Sequence, residues 1–224
     1  MATHERSDPD RRVATRPAPG RPRDPDLDAA ILDAARHHLA AHGYDAMSVV
    51  AVAASAGTTR QALYRRFPSK ADLATAAIAG MSRAAERPDT DDVFGDLVTE
   101  LRAFRDGVTR PNGLGMVGAM LQEATDPELR ALFRERVVSP RRTRIEHLLR
   151  RGVDAGLLDR DADLVVAVAA CTGTFYALAL ADRRLPDWPE RTAAMVWRAC
   201  GGSPPPGRAG RRGGPGRGAT APAR

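Results

Sequence analysis

Side chains that hydrogen-bond to nucleic acids are concentrated in residues 58–67 of the sequence. They are Thr58, Thr59, Arg60, Gln61, Tyr64, Arg65 and Arg66, and no acidic residue lies among them. Arginine forms paired hydrogen bonds with guanine, glutamine does so with adenine, and the threonine methyl group can contact the thymine methyl group. Tyrosine and the hydroxyl groups are suited to phosphate oxygens, which set the position of a protein on duplex DNA. The segment therefore predicts contacts to double-stranded DNA.

Two short helices joined at a glycine would position these side chains. Ser48 is the expected N-cap of the first helix, and Gly57 ends it. The second helix is expected to run from Thr58 or Thr59 to Phe67, because the residue before a proline disfavours helical backbone and Pro68 follows. A tight turn between two helices is the helix-turn-helix arrangement, in which the second helix enters the major groove.

The other periodic segments also predict helices, and no alternation of apolar and polar residues predicts a strand. These segments cover residues 27–43, 69–81, 93–104, 114–124, 127–155, 162–180 and 189–199. Ser69 and Asp126 are expected N-caps. Pro140 should either kink the segment 127–155 or divide it into two helices. The sequence therefore predicts an all-α fold.

The excess of positive charge lies at the two ends of the chain. Residues 1–25 carry six basic and four acidic side chains, and residues 201–224 carry five arginines and no acidic residue, in a chain of net charge +6. Both ends are rich in Pro, Gly and Arg, so we expect a disordered basic arm and a disordered tail. Basic flexible ends favour a polyanion or an anionic membrane surface as partner over a small acidic substrate.

No group of residues has the pattern typical of catalysis or metal binding. Cys171 and Cys200 lack the spacing of a zinc or disulfide motif, which favours a reducing cytoplasm. His38 and His42 are four residues apart, but no third ligand lies on the same face. Neither a nucleophile elbow nor a phosphate-binding glycine loop is found. We therefore expect no catalytic residue, no metal and no cofactor, and the charged, proline-rich start predicts no signal peptide.

The run from Leu164 to Ala181 contains no charged residue over eighteen positions. That length is at the lower limit for a membrane span. Thr172, Gly173 and Thr174 at its centre make insertion marginal, so we expect no membrane association. A helix that is apolar on all sides is otherwise buried in a core or between subunits, and we favour that interpretation.

A further motif surrounds the predicted DNA-contacting segment. It consists of Gly43-Tyr44, Ala53-Ala54-Ser55-Ala56-Gly57 and Leu63-Tyr64-Arg65-Arg66-Phe67-Pro68-Ser69-Lys70-Ala71-Asp72-Leu73. This pattern resembles the TetR family of bacterial transcriptional regulators, and the resemblance covers residues 26–81. It implies a homodimer of all-helical subunits, usually a repressor that a small-molecule effector releases from a palindromic operator.

The resemblance also implies roles for individual residues and a division of the chain. Arg60, Gln61, Tyr64, Arg65 and Arg66 would lie on the recognition helix, Ser48 would cap the preceding helix near a phosphate, and Lys70 would meet the DNA backbone. Thr58 stands where the family usually has valine, and Arg66 where it often has histidine. The expected domains are residues 26–75 for a three-helix, helix-turn-helix DNA-binding domain and 76–200 for a helical effector-binding and dimerisation domain, between the arm 1–25 and the tail 201–224.

An effector site is expected among the large apolar side chains of the second domain. The candidates are Phe104, Met116, Met120, Phe133, Cys171, Phe175 and Tyr176. These residues are large or polarizable and lie on helices that would surround a cavity. An ordinary packed core explains each of them equally well. The sequence does not indicate which compound would bind.

Two other functions remain compatible with the sequence. One is a DNA-binding protein that no effector regulates. The other is a helical enzyme or lipid-binding protein whose basic tails touch membranes. A cytoplasmic, homodimeric DNA-binding regulator is the interpretation that we favour.

Overall fold

The computed structural model describes residues 24–81, 88–111, 113–120 and 126–206. These residues form helices and no strand, as predicted. The α-helices are α1 (Pro25–Ala46), α2 (Val49–Ser55), α3 (Arg60–Tyr64), α4 (Lys70–Met81), α5 (Val93–Val108), α6 (Gly113–Met120), α7 (Pro127–Phe133), α8 (Ser139–Asp154), α9 (Leu164–Leu180) and α10 (Trp188–Ala199). The predicted arm lies almost wholly outside the described residues, and so do residues 207–224 of the predicted tail.

Side-chain caps set the starts of most of these helices. The three predicted caps are confirmed: Ser48 Oγ accepts from Ala51 N at 3.3 Å, Ser69 Oγ from Asp72 N at 2.9 Å, and Asp126 Oδ1 from Glu128 N at 2.9 Å. Each bond satisfies a backbone N–H that has no partner within its own helix. Further caps are Asp24, Thr59, Asp92 and Asp163.

The predicted end of the first regular helix at Gly43 is confirmed, since Gly43 has φ 73° and is non-helical, and a further helical turn continues α1 to Ala46 after this kink. The end of the third helix differs from the prediction. The third helix ends at Tyr64 instead of Phe67. After Tyr64 the chain tightens, since the N–H groups of Arg66 and Phe67 both donate to the Leu63 carbonyl at 2.9 Å. The chain therefore leaves the helix before it reaches Pro68.

The predicted interruption near Pro140 is confirmed, and it takes the form of a π-helical segment over Arg134–Val138. Proline has no N–H to donate to the carbonyl four residues earlier, that of Arg136. The regular hydrogen-bond ladder is lost there, and the wider π turn takes its place before α8 begins at Ser139. The segment 127–155 is thus two α-helices joined by a π turn.

Buried apolar side chains form two clusters. The N-terminal core joins α1, α2, α3 and α4 around Ile31, Val52 and Leu63, and Phe133 of α7 completes it. The C-terminal core joins α5, α8, α9 and α10; its largest members include Leu97, Leu101, Ile145, Leu149 and Trp197. The helices that support the predicted DNA-contacting segment therefore pack directly against α7.

The uncharged run in α9 has one buried side and one exposed side. Val168 and Cys171 pack into the C-terminal core. Val165, Val166 and Leu180 are 73%, 61% and 90% exposed. Among the described residues, no helix has both the length and the apolar character that crossing a membrane requires.

Candidate functional site

The turn between α2 and α3 is fixed by a left-handed glycine. Gly57 has φ 66°, which an L side chain rarely adopts. Its N–H donates to the Ala54 carbonyl at 3.1 Å, and the Thr58 N–H donates to the Ala53 carbonyl at 2.9 Å. This pair of bonds is the Schellman motif that closes a helix. Only Thr58 then separates Gly57 from Thr59, whose Oγ1 accepts from Ala62 N at 3.1 Å and begins α3.

One side of α3 is buried and the other is exposed. Leu63 is fully buried in the N-terminal core, which anchors the helix. Arg60 and Gln61 of α3 are exposed, and so is Arg65, the residue that caps its C-terminal end. The Arg60 guanidinium lies 5.3 Å from the centroid of the Tyr64 ring, a cation–π contact between residues one helical turn apart. Residues 46–71 contain no acidic side chain, so α3 presents positive charge and hydrogen-bond donors without an opposing carboxylate from its own segment.

Arg66 differs from its expected place on the recognition helix. It follows the end of α3, and its side chain is only 15% exposed. Its Nε donates to Asp28 Oδ1 of α1 at 2.5 Å, and its Nη1 donates to the Ala62 carbonyl at 3.4 Å. The sequence pattern could not distinguish this inward ion pair from a solvent-facing charge. In the structure Arg66 connects α1 to the segment after α3.

Lys70, the first residue of α4, lies against the segment that follows the kink in α1. Its Nζ donates to the Asp45 carbonyl at 2.9 Å and lies 4.7 Å from the Tyr44 ring centroid. Burial raises the pKa of Tyr44 to about 12, with smaller contributions from nearby carboxylates, the largest being Asp126. An ammonium has three donors, so Lys70 retains donors for a phosphate beyond the one used by Asp45.

Polar contacts connect the start of α4 to α7 and to the π-helical segment. Arg136 Nη2 pairs with Asp72 Oδ1 at 2.6 Å, and its Nη1 donates to the Asp72 carbonyl and to Thr75 Oγ1, each at 3.2 Å. Ser69 Oγ donates to Glu128 Oε1 at 2.7 Å. We call these five residues the α4 junction. They join the helix-turn-helix to the remainder of the chain through hydrogen bonds as well as apolar packing.

The structure brings three of the seven predicted effector-site residues together. The Phe104 ring lies 5.6 Å from Phe175 and 5.7 Å from Tyr176, in edge-to-face contacts, and Trp188 joins them at 5.1 Å from Phe175. Cys171 is buried in the same core. Met120 and Phe133 instead pack in the N-terminal core, and the side chain of Met116 lies outside what the structure describes. The six of these residues whose side chains are described therefore do not surround a single cavity.

Buried polar groups accompany the aromatic cluster. The Arg141 guanidinium lies 5.2 Å from the Phe104 ring centroid, and its Nε is 3.9 Å from Oε1 of Glu100, which is 2% exposed. Burial raises the pKa of Tyr176, and the positive charge of Arg141 opposes that shift. Burial also raises the pKa of Cys171 to about 12, so its thiol is protonated at neutral pH.

An open cavity of about 720 Å³ lies beside the aromatic cluster. It is formed by the end of α5, the start of α6, the end of α9 and the α9–α10 connection. Its lining residues include the apolar side chains Val108, Leu114, Phe175, Leu178, Leu185 and Trp188 and the charged side chains Arg105, Arg110, Asp182, Arg183 and Arg184. Of the predicted effector-site residues whose side chains the structure describes, only Phe175 is among them. The basic pair that directly follows the apolar α9 was the signal in the sequence that could have indicated this cavity.

The histidine and cysteine side chains in the described part of the chain do not form a metal site. No group of three or more His, Cys, Asp or Glu side chains there could hold a metal ion. His38 and His42 lie with ring centroids 5.8 Å apart, and His38 Nε2 is 3.3 Å from Ser55 Oγ. Both cysteines are buried and unpaired to each other. The two features with recognisable chemistry are thus the α2–α3 surface and the open cavity.

Comparison with known proteins assigns both halves of the chain. Residues 31–77 match the family model described as bacterial regulatory proteins, tetR family, and residues 87–199 match the model described as tetracyclin repressor-like, C-terminal domain. An uncharacterized HTH-type transcriptional regulator of Mycobacterium bovis is 36% identical over 146 residues, 63% of this chain and 68% of the relative. The regulator YdeS of Bacillus subtilis, also uncharacterized, is 30% identical over 79% of this chain and 90% of its own length.

Solved structures give the same assignment. The TetR family transcription regulator SCO0332 superposes with a TM-score of 0.61 and is 27% identical, covering 80% of this chain and all of its own. The regulator FadR from Bacillus subtilis, crystallised in complex with stearoyl-CoA, superposes with a TM-score of 0.58 at 19% identity, covering 78% of this chain and 98% of its own. Sequence, helix order and these matches agree: the chain belongs to the TetR family of DNA-binding transcriptional regulators.

Proposed function

We propose that α3 reads operator DNA and that the residues around it position the helix on the backbone. The observation that carries this assignment is the exposed, acid-free face of a capped helix behind a left-handed glycine turn. Arg60 and Gln61 contact base edges. The DNA backbone contacts come from Ser48, Thr58, Thr59, Tyr64, Arg65 and Lys70. Arg66 supports the fold of this domain instead, because its guanidinium is occupied by Asp28.

Two arginine substitutions distinguish recognition of DNA bases from stabilisation of the DNA-binding domain. Arg60→Ala should weaken operator binding by about 1–3 kcal/mol and relax the preference at one base pair per half-site. Arg66→Met should lower the free energy of unfolding while leaving the preferred sequence unchanged. Gel-shift titration on operator and random duplexes, with urea unfolding of each variant, measures both effects. An unchanged operator preference in Arg60→Ala would contradict the proposed orientation of α3.

We also propose that the protein is a homodimer joined through α9 and α10. On α9 the exposed residues Val166, Ala169, Gly173 and Leu180 recur at helical spacing, and Met195 of α10 is exposed as well. A Cβ placed on Gly173 would meet no atom within 4 Å, so this position can accept the close approach of a partner helix. An exposed apolar stripe of this kind is typical of a subunit interface.

Light scattering tests the dimer. Val166→Arg should shift the protein to monomers, because it places an unpaired charge in the interface. Val50→Arg is the matched control, since Val50 is an exposed valine of α2 outside this face. A stable dimer of Val166→Arg would contradict the proposed interface.

The complete proposal is a cytoplasmic repressor that a small-molecule effector releases from a palindromic operator. The proposed division is a DNA-binding domain over residues 26–75 and an effector-binding and dimerisation domain over 76–200. Selection of bound sequences from random duplexes should return a palindrome, because a two-fold dimer presents two copies of α3. An effector must then change operator affinity, which distinguishes the regulator from an unregulated DNA-binding protein. Liposome binding stronger than duplex binding at equal salt would favour the lipid-binding alternative.

A further inference from the structure

The open cavity described above combines an apolar floor with a basic rim. We propose that it binds a small amphipathic anion, a compound with an apolar chain or ring and a terminal carboxylate or phosphate. This inference rests on the proposed effector-regulated function and specifies the chemistry of the effector. The volume of about 720 Å³ lies within the range of about 300–1,000 Å³ typical of small-molecule sites.

The floor of the cavity is lined by apolar side chains, among them Phe175 and Trp188. Trp188 is 2% exposed, and its Nε1 donates to Thr174 Oγ1 at 3.1 Å, so the indole adds no unpaired polar atom to the lining. Phe175 stands edge-to-face on the indole at 5.1 Å. Leu114 of α6 also lines the cavity and is 44% exposed. Covering the exposed parts of Phe175 and Leu114 removes apolar surface from water, which favours a ligand with an apolar body.

The rim carries more positive than negative charge. Arg105 is occupied, since its Nη2 pairs with Asp106 at 2.9 Å and its Nη1 donates to the Pro186 carbonyl at 3.1 Å. Arg110, Arg183 and Arg184 are exposed and form no ion pair within the described residues. Among the described residues that line the cavity, Asp182 is the single carboxylate. Guanidinium groups bind carboxylate and phosphate through paired hydrogen bonds, so an anionic group fits this rim.

A closed turn at the end of α9 fixes the backbone from which Arg183 and Arg184 extend. Asp182 has φ 49°, a left-handed conformation. The Asp182 N–H donates to the Ala179 carbonyl at 3.1 Å, and the Arg183 N–H donates to the Leu178 carbonyl at 2.8 Å. These are the two bonds of a Schellman motif, here with aspartate where glycine is usual. The basic rim is therefore attached to a defined turn next to the apolar floor.

The cavity is also placed to affect the DNA-binding part of the chain. Leu114 and Gly115, at the start of α6, line it. Val117 and Met120, further along the same short helix, pack against the N-terminal core. A ligand that displaces α6 therefore changes its contact with α1. The effect on DNA binding follows from one helix that contacts both places.

Calorimetric titration with simple amphiphiles tests the chemistry directly. The probes are decanoate and decyl phosphate, with decanol and decyltrimethylammonium as controls of equal chain length, all below their micelle-forming concentrations. We expect both anions to bind, decanol to bind at least about tenfold more weakly, and the cation not to bind, because a charge-assisted hydrogen bond contributes about tenfold or more in affinity. Binding of decanol as tight as that of decanoate would overturn the proposal, as would failure of both anions to bind.

Variants locate the site. The double variant Arg183→Gln, Arg184→Gln should weaken decanoate binding about tenfold or more, whereas Arg142→Gln, an exposed arginine outside the cavity, should not. Gly115→Leu should block the cavity, and Gly118→Leu is its control on the same helix. A Cβ at either glycine meets no atom within 4 Å, so both variants can fold. Unchanged decanoate affinity in the double arginine variant would overturn the assignment.

Operator binding is measured separately, so the two proposals can fail separately. Loss of operator affinity on adding decanoate, absent in the double arginine variant, supports both. A protein that binds decanoate at this cavity but no palindromic duplex would contradict the proposed function and leave the cavity assignment intact. A protein that binds the palindromic duplex but neither anion would contradict the cavity assignment and leave the proposed DNA-binding function intact.

Discussion

The α4 junction should contribute measurably to stability, and Arg136 is the residue with which to test this. Arg136→Met keeps an unbranched side chain but removes the ion pair to Asp72 Oδ1 at 2.6 Å and the bonds to the Asp72 carbonyl and Thr75 Oγ1 at 3.2 Å. It leaves the Asp72 carboxylate, whose side chain is 16% exposed, without this partner. The junction therefore loses three polar contacts with one substitution.

The expected magnitude lies between two limits. Exposed ion pairs contribute about 0–1 kcal/mol, whereas hydrogen bonds to charged groups contribute about 1.5–3 kcal/mol when they are buried. The Arg136 side chain is 33% exposed, so this pair is intermediate. We expect Arg136→Met to lower the free energy of unfolding by about 2 kcal/mol. A double-mutant cycle with Asp72→Asn should give a coupling energy of about 1 kcal/mol.

Urea unfolding of the four proteins of that cycle measures the coupling. Arg134→Met is the matched control, because Arg134 belongs to the same π-helical segment, is exposed and takes part in no contact of the junction. Its free energy of unfolding should stay within about 0.5 kcal/mol of the parent protein. If the losses for Asp72→Asn and Arg136→Met add without coupling, the ion pair does not stabilise the junction and the reasoning is refuted.

Three further predictions follow from local geometry. Ser69→Ala removes both the cap of α4 and the hydrogen bond to Glu128. The free energy of unfolding, measured in urea, should therefore fall by about 1–2 kcal/mol. A decrease of less than about 0.3 kcal/mol would contradict that role. Gly57→Ala should lower the free energy of unfolding by about 1 kcal/mol or more, because φ is 66° at this position. Gly107→Ala lies within α5 with open space at its Cβ, so it should raise the free energy of unfolding by up to about 1 kcal/mol. Equal effects of the two substitutions would be inconsistent with the turn. Hydrogen bonds from His147 and then Arg144 lower the pKa of Asp89 from 3.8 to about 2, so its carboxylate stabilises the folded state above pH 4 and this contribution is lost as the pH falls towards 2. Asp89→Asn should therefore lower the melting temperature at pH 6 but not at pH 2, and an equal shift at both values would exclude the linkage.

The helix-turn-helix could be predicted in detail because its signals are local. Ser48 caps its helix and Gly57 forms the turn, because each acts on neighbouring residues in the chain. Pro140 likewise predicted an interruption, since a proline lacks the N–H that the ladder requires. The π-helical form of that interruption depends on packing around it and was not predictable from spacing.

The orientation of long polar side chains and the cavity could not be predicted in the same way. Arg66 has the same type and neighbourhood in sequence as Arg65, yet it pairs with Asp28, thirty-eight residues away. The cavity combines the ends of α5 and α9 with the start of α6, so no single segment has its pattern. Large apolar side chains such as Phe133 indicated a core correctly, but not which of the two cores they join.

The contacts that α6, α7 and the π-helical segment make with the helix-turn-helix domain have a consequence for regulation. α6 contacts α1, and α7 and the π-helical segment contact α4. These contacts act on the helices that support α3, while Arg60 and Gln61 remain exposed on the far side of the Leu63 anchor. A ligand that acts through α6, or a change at the α4 junction, therefore alters the position of α3 and leaves the donors and acceptors it presents unchanged. In a dimer that binds two half-sites at once, a change of position is sufficient, because both recognition helices must match the spacing of the major groove.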